Sequence, residues 1–363
     1  MDQSELEFAV RPHPKPVPAD QRAALLASPG FGRTFTDHMI KIRYIEGRGW
    51  YDASVEARGP ILLDPAAAVL HYAQEVFEGL KAYRIGDGGA ALFRPDANAR
   101  RFHASAERMA MAPLPKPLFL EAIRHLVTID RDWIPDIPGG SLYLRPFMIA
   151  SETFLGVKPS SEYLFMVIAS PAGSYFKSAF GTVTIWVSDN YTRAAPGGTG
   201  AAKCGGNYAS GLMAQAEATA NQCDQVMFLD SVERRWIEEL GGMNVFFVFD
   251  DGSLSTPPLG TILPGITRES LIVLARSKGM AVREEPYSID QLRVDAASGR
   301  LREAFACGTA AVVTPISTVR ERDKAFTIGN GGAGPVTEGL LTALVDLQRG
   351  RAPDPDGWVH RLF

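Results

Sequence analysis

The sequence predicts a two-domain mixed α/β fold, each domain built on a mixed, partly antiparallel sheet flanked by helices. Three observations lead there. The chain has 363 residues, 46% of them apolar and 21% charged, which is enough for two separate cores. Strand-sized apolar runs recur along its whole length. Between them lie segments with apolar residues at three- and four-residue spacing, the mark of amphipathic helices. The expected division is an N-terminal extension over 1–30, a small domain over 31–173, a linker over 174–181 and a larger domain over 182–363.

Residues 39–46 and 49–56 alternate like a hairpin around Gly47, and 90–94 reads as a short strand. Two helices are expected at 96–109 and 118–132, separated by Pro113-Leu114-Pro115-Lys116-Pro117. Residues 141–149 and 162–170 are the strongest strands of this half, and Pro171-Ala172-Gly173-Ser174 opens the linker. The second half begins with a strand at 182–188, crosses a glycine-rich loop and enters an alanine-rich helix at 208–221. Strands follow at 225–229, 235–239 and 244–249, with Asp251-Gly252 as a hairpin turn signal. A helix at 267–278 follows Pro264-Gly265, with Thr267 as candidate cap. Ser288-Ile289-Asp290-Gln291 reads as a capping box opening another helix. A buried strand at 310–313 and an amphipathic helix at 337–348 complete the chain, and no repeat of fixed period is present.

Composition excludes several function classes. A net charge of -4, with no basic run interleaved with aromatics, argues against a nucleic-acid surface and points to small-molecule ligands. Residues 1–20 are acidic and then proline-rich, without the apolar core of a signal peptide, so a cytoplasmic protein is expected. The longest apolar runs fall far short of a membrane span. The three cysteines, Cys204, Cys223 and Cys307, form no C-x-x-C pair and fit a reducing compartment. The six histidines offer no second ligand at metal-binding spacing, so no metal is expected.

The chemistry concentrates at Gly197-Gly198-Thr199-Gly200-Ala201-Ala202-Lys203-Cys204-Gly205-Gly206-Asn207-Tyr208. A lysine with almost no side chains around it can serve as a covalent carrier, because burial favours the neutral amine that attacks an aldehyde. A solvated turn is the alternative local reading. A phosphate-binding P-loop needs glycine before the lysine and serine or threonine after it, where this chain has Ala202 and Cys204. A nucleotide-binding or non-catalytic protein with a glycine loop is the rival of a different class.

The wider pattern resembles the branched-chain amino acid aminotransferases, fold-type IV pyridoxal phosphate enzymes. The resemblance rests on residues 203–208, on Glu238-Glu239-Leu240-Gly241-Gly242-Met243-Asn244 and on Leu263-Pro264-Gly265-Ile266-Thr267-Arg268. It extends to Tyr72, to Gln-Glu-Val-Phe-Glu-Gly-Leu-Lys at 74–81, to Leu92-Phe93-Arg94-Pro95, to Leu142-Tyr143-Leu144-Arg145-Pro146 and to Gly308-Thr309-Ala310. It covers nearly the whole chain after the first thirty residues.

The resemblance implies a role for each matching position. Lys203 would hold pyridoxal 5'-phosphate as a Schiff base and move the substrate's proton. Glu239 would pair with the ring nitrogen and keep the ring an electron sink, and Tyr208 would bond the phenolic oxygen. Arg101, the backbone N–H groups of Ile266 and Thr267, and the Thr309 hydroxyl would take the phosphate. Arg100 lies about 100° around the helix from Arg101, so one of the two faces the site. Arg94 and Arg193 fit a supporting or salt-bridged role. Phe77, Tyr72 and Tyr175 would line an apolar wall, and Tyr143 with Arg145 would form the edge that receives glutamate's second carboxylate. Strand alternation puts Tyr143, Arg145 and Phe147 on one face.

Two departures from the family qualify these roles. Animal members carry a C-x-x-C pair after the Gly308-Thr309-Ala310 segment, where this chain has Ala311 and Thr314, so thiol regulation of that kind is not expected. They also carry threonine where this chain has Gly242, which leaves backbone N–H groups or Ala310 to meet the substrate carboxylate. The expected activity exchanges the amino group of leucine, isoleucine or valine with 2-oxoglutarate by a ping-pong route. The resemblance also implies a homodimer with the site between the two domains. A D-amino acid transaminase and an aminodeoxychorismate lyase of the same fold type are the nearest alternatives.

Overall fold

The computed structural model describes residues 6–86, 88–173 and 181–363. These fall into two compact units that are not contiguous in sequence. The first holds the described residues up to 173 together with Ala202–Gly205 and Leu347–Phe363, and the second holds residues 181–201 and Gly206–Asp346.

The first unit contains β1 (Ala9–Val10), α1 (Ala19–Ala27), β2 (His38–Ile45), β3 (Gly49–Ala57), α2 (Ala68–Tyr72), β4 (Glu75–Phe77), β5 (Leu80–Arg84) and β6 (Ala90–Phe93). It continues with α3 (Pro95–Arg108), α4 (Lys116–Ile129), β7 (Ser141–Ala150) and β8 (Glu162–Ala172). The second unit runs through β9 (Val183–Ser188), α5 (Gly205–Ser210), α6 (Leu212–Ala220), β10 (Gln225–Leu229), β11 (Ile237–Leu240), β12 (Asn244–Phe249) and β13 (Leu254–Thr256). It then adds α7 (Ile266–Ser277), β14 (Val282–Glu284), α8 (Ile289–Ser298), β15 (Leu301–Gly308), β16 (Val312–Arg320), β17 (Ala325–Thr327) and α9 (Pro335–Gln348). The chain then returns to the first unit for β18 (Val359–Arg361).

The first sheet runs β1-β3-β2-β8-β7-β5-β6-β18, with β4 pairing β7. Its pairs are antiparallel except for the short β1–β3 contact. Gly47 supplies the positive φ of 83° that closes the β2–β3 turn. Phe102 of α3 and Phe119 of α4 meet Phe165 of β8, with ring centroids 5.4 to 6.2 Å apart. All three are fully buried, so both helices press their apolar faces on this sheet. The second sheet runs β11-β10-β9-β16-β15-β12-β13-β14. It is mixed: β9 is parallel to both β10 and β16, whereas β12, β15 and β16 form an antiparallel set.

The structure sharpens several sequence expectations. The helix expected at 208–221 is broken at Gly211 into α5 and α6. α7 has Gly265 as its N-cap with no side-chain cap bond, so Thr267 lies inside the first turn rather than capping it. Ser288 does cap α8, accepting the Gln291 N–H at 3.1 Å. Of the segment expected as a strand at 310–313, Ala310 and Ala311 lie in the β15–β16 turn and Val312 and Val313 open β16, Gly308 pairing with Val312 across the turn. Sequence reading missed β4 and β5. Their alternation is hidden because Glu78 and Lys81 stand at buried positions, where an apolar pattern is the usual signal.

Candidate active site

Lys203 sits on a short segment that the first unit's core fixes from both sides. Ala202 and Cys204 are buried members of that core. The Lys203 N–H donates to Ser105 Oγ of α3 at 2.9 Å, and its carbonyl accepts the Phe77 N–H at 3.0 Å. Gly205 closes the segment against Glu75, whose carboxylate accepts its N–H, and a Cβ there would collide with that carboxylate. The backbone under the lysine is thus clamped at each residue while the side chain stays half-buried.

The pairing of β4 and β5 with β7 is interrupted at Glu78-Gly79, and this kink gathers the charged groups. Phe77 lies opposite Phe147, and Leu80 opposite Leu144. Between them Glu78 N–H donates to Pro146 O at 2.7 Å. Gly79 lets the Tyr143 hydroxyl approach so closely that a Cβ would clash with it. The fully buried Glu78 carboxylate accepts from Arg101 Nε at 2.7 Å, Arg101 Nη2 at 2.9 Å and Asn98 Nδ2 at 2.7 Å. Burial alone would raise the Glu78 carboxyl, but Arg101, Lys203 and Asn98 together bring it below the usual range. Arg101 is buried and Arg100 exposed, as helix periodicity requires of adjacent residues.

Two cations lie close to the Phe77 ring. Its centroid is 4.8 Å from Lys203 Nζ and 4.8 Å from the Arg145 guanidinium carbon. Arg145 Nη2 donates to the Tyr143 hydroxyl at 3.0 Å, whereas its buried Nε has no hydrogen-bond partner among the described residues. The Lys203 amine is brought down from 10.5 to about 8, first by burial and then by Arg101 and Arg145, against the opposing pull of Glu78 and Tyr143. Tyr72 ends α2 with its ring more than a third exposed and its hydroxyl donating to Leu155 O. No described contact joins it to the lysine group. Tyr175 lies outside the described residues.

The second unit holds the remaining expected residues, and there Glu239 of β11 is the centre. Its Oε1 accepts the Leu263 N–H at 2.8 Å and lies 2.8 Å from Arg193 Nη1, and its Oε2 accepts from Asn244 Nδ2 at 3.2 Å. Arg193 and Glu239 are both almost wholly buried. Arg193 also donates to the carbonyls of Gly200 and Thr261. Asn244 Nδ2 donates a second bond to Leu263 O, and its Oδ1 would collide with any Cβ at Gly265. Ile266 and Thr267 form the buried first turn of α7, where helix N–H groups point outward. Thr309 and Ala310 are half-buried in the β15–β16 turn, Gly242 is exposed, and Tyr208 is half-buried on α5.

Sequence reasoning singled out Arg101 without Glu78, which holds it, or Asn98, which holds Glu78. The signal was present: Asn98 and Arg101 stand one helical turn apart on α3, a spacing that puts two donors on one face. Ser105, one turn beyond Arg101, shares that face, and Asn244 closes the 238–244 segment, but neither spacing nor motif names the partner each one holds. The residues fit pyridoxal phosphate on three structural grounds. An amine near pH 8 suits Schiff-base chemistry, the orphaned Arg145 Nε suits an anionic group, and Glu239 receives only donors. Among the described residues no group of side chains could hold a metal ion.

Comparison with known proteins agrees with this chemistry. The amino-transferase class IV family model matches residues 75–319. A branched-chain-amino-acid aminotransferase of Mycolicibacterium smegmatis is 52% identical over the full length of both chains. A branched-chain-amino-acid transaminase of Bacillus subtilis is 47% identical, covering 92% of this chain and 94% of its own. Among solved structures, the Escherichia coli branched-chain amino acid aminotransferase is 30% identical with a TM-score of 0.72, covering 89% of this chain and 99% of that one. A T.th. branched-chain amino acid aminotransferase with pyridoxamine 5'-phosphate has the same identity and TM-score and covers 89% and 98%. With a clamped lysine, a clamped carboxylate and relatives alike from end to end, this chain belongs to the class IV aminotransferases.

Proposed function

We infer that the chain is a pyridoxal phosphate-dependent branched-chain amino acid transaminase. It moves the amino group between leucine, isoleucine or valine and 2-oxoglutarate in a ping-pong cycle. The observation that carries the reading is the Lys203 amine, lowered to about 8, on the Phe77 ring with Arg145 on the same ring. An apolar ring beside a cation answers the need to accept both an aliphatic side chain and a second carboxylate. Incubation with leucine and 2-oxoglutarate should yield glutamate. Turnover of D-alanine or of aminodeoxychorismate in its place would overturn the substrate assignment.

When bound, pyridoxal phosphate supplies an aldehyde that condenses with amines and a ring that withdraws electrons from the substrate Cα. Lys203 Nζ, in its neutral form, takes the proton from Cα and later returns it. Glu239 is the acceptor for the ring nitrogen, held charged and oriented by Arg193, Asn244 and the Leu263 N–H. Tyr208 takes the phenolic oxygen. Arg101, the Ile266 and Thr267 N–H groups and the Thr309 hydroxyl take the phosphate, with Glu78 fixing the guanidinium and Asn98 fixing Glu78. Phe77, Tyr72 and Tyr175 line the apolar wall, Tyr143 and Arg145 receive the second carboxylate, and Ala310 with backbone N–H groups meets the first.

The assembly is a homodimer, and the enzyme works in the cytoplasm. Supporting the second statement, no helix among the described residues is long and apolar enough to cross a membrane. Residues 31–173 make up most of the small domain and 182–363 most of the large one, joined by 174–181, with 1–30 as an extension; the contiguous division differs from the compact units in that Ala202–Gly205 and Leu347–Phe363 group with the first unit, as do the described residues before 31. Sedimentation at twice the chain mass of 39.3 kDa is expected, and a 39.3 kDa particle would overturn the dimer.

A further inference from the structure

The second unit carries a cleft that the transaminase chemistry does not use. It has a volume of about 530 Å³, within the range of small-molecule sites. Four prolines, Pro196, Pro257, Pro258 and Pro286, line it with Trp236 and Leu259. Proline has no N–H, so these walls offer ring C–H surface and carbonyls rather than donors for an anion.

Glu238 is the polar group of this cleft. Only 8% of it is exposed. One oxygen, Oε1, accepts the Thr261 hydroxyl, whereas the buried Oε2 has no hydrogen-bond partner among the described residues. A buried carboxylate oxygen without a donor is unfavourable, and an entering donor relieves it. Burial pushes the Glu238 carboxyl up and Asp230 adds to this, offset only in part by the Thr261 bond and by Arg193.

The other charged groups nearby are committed. Asp230, also in the cleft wall, spends its carboxylate on the N–H groups of Val232, Glu233, Arg235 and Trp236. Arg193 is bound to Glu239 and to the carbonyls of Gly200 and Thr261. Two acids and no cation therefore line the space. Amino acids and oxo acids, which bear a carboxylate, do not suit it.

We propose that this cleft is a binding site for organic monoammonium ions with an apolar or aromatic body, the ammonium N–H donating to Glu238 Oε2 and the body lying on the prolines and Trp236. The probe is the N,N-dimethyl-2-phenylethylammonium ion, titrated into the holoenzyme by calorimetry. As a tertiary amine it cannot condense with the cofactor's aldehyde, so its heat does not report on Lys203. Saturable binding at one site per chain is expected, about tenfold weaker in Glu238→Gln, because a charge-assisted hydrogen bond is lost. The neutral 2-phenylethanol should bind more weakly than the ammonium. Leu259 is 53% exposed, so Leu259→Arg leaves the core intact while placing a cation at the cleft, and binding should disappear there even if Glu238→Gln fails to fold. No saturable heat with the wild type, equal binding of the alcohol, or binding that survives Leu259→Arg would overturn the assignment.

Discussion

The lysine group of the first unit and the carboxylate group of the second hold their key side chains by opposite means. Glu239 is satisfied by a cation, an amide and a backbone N–H, so the structure around it favours one charge state and one orientation. Lys203 is clamped through its backbone, and its amine faces two arginines that disfavour its charge, opposed in part by Glu78 and Tyr143. Full satisfaction makes a fixed electrostatic partner, and burial that nearby charges offset only in part makes a reactive group. The same contrast runs within the first unit. Glu78 and Arg101 satisfy each other, whereas Arg145 keeps an orphaned Nε.

Breaking the reactive side of this comparison should have the largest effect. Lys203→Ala should lower leucine turnover by about 10⁴-fold or more and abolish the visible absorbance, since it removes both the covalent anchor and the acid–base group. A yellow, active variant would show that another amine carries the cofactor.

Next comes the satisfied side. Glu239→Gln should lower kcat by about 10²- to 10³-fold through loss of a fixed charge. It also leaves Arg193 buried and uncompensated, at a cost of about 3–5 kcal/mol in stability. Denaturant unfolding and steady-state kinetics read the two effects separately. Unchanged values in both would mean that Glu239 is merely a packed acid.

Selective damage at Arg145 should be smaller. Arg145→Ala is expected to reduce kcat/KM for glutamate about 10- to 100-fold more than for leucine, the worth of one or two hydrogen bonds to a charged group. Equal loss for both substrates would assign Arg145 to structure or to the shared carboxylate.

The finest test concerns pH. The Lys203 amine is neutral above about 8, so capture of the cofactor aldehyde by apoenzyme should speed up as pH rises through about 8 and then level off. Glu78 raises this amine and Arg101 lowers it. Glu78→Gln should therefore move the midpoint down and Arg101→Gln should move it up. Midpoints that shift the same way would break the electrostatic account of the amine.

Much of the fold was legible because its strongest elements are locally consistent. The β2–β3 hairpin around Gly47, the pair α3 and α4 separated by prolines, and the Ser288 cap all follow from short-range pattern. The strands β4 and β5 were not legible. Buried Glu78 stands between them and buried Lys81 on β5; the burial of Glu78 is made tolerable by Arg101 and Asn98, about twenty residues on, and no window of local pattern contains those partners. Likewise Lys203 and Glu239 stood out through ordered motifs and Arg101 through the resemblance, whereas Glu78 and Asn244 lay inside such motifs without their holding roles being legible. Helix spacing can group Asn98, Arg101 and Ser105 on one face, but the partners of Ser105, Asn98 and Asn244 are set only when the fold brings them within 3.2 Å.

Lys81 supplies the sharpest internal rival, since burial brings its amine down to about 7, lower than that of Lys203. A lowered amine alone does not distinguish the two, and the account rests on Lys203 having the Phe77 and Arg145 surroundings that Schiff-base chemistry with these substrates requires. Borohydride reduction of the holoenzyme, proteolysis and mass mapping of the phosphopyridoxyl group decide between them. The account predicts the modification on Lys203 and on no other lysine; finding it on Lys81 would contradict the account at its centre.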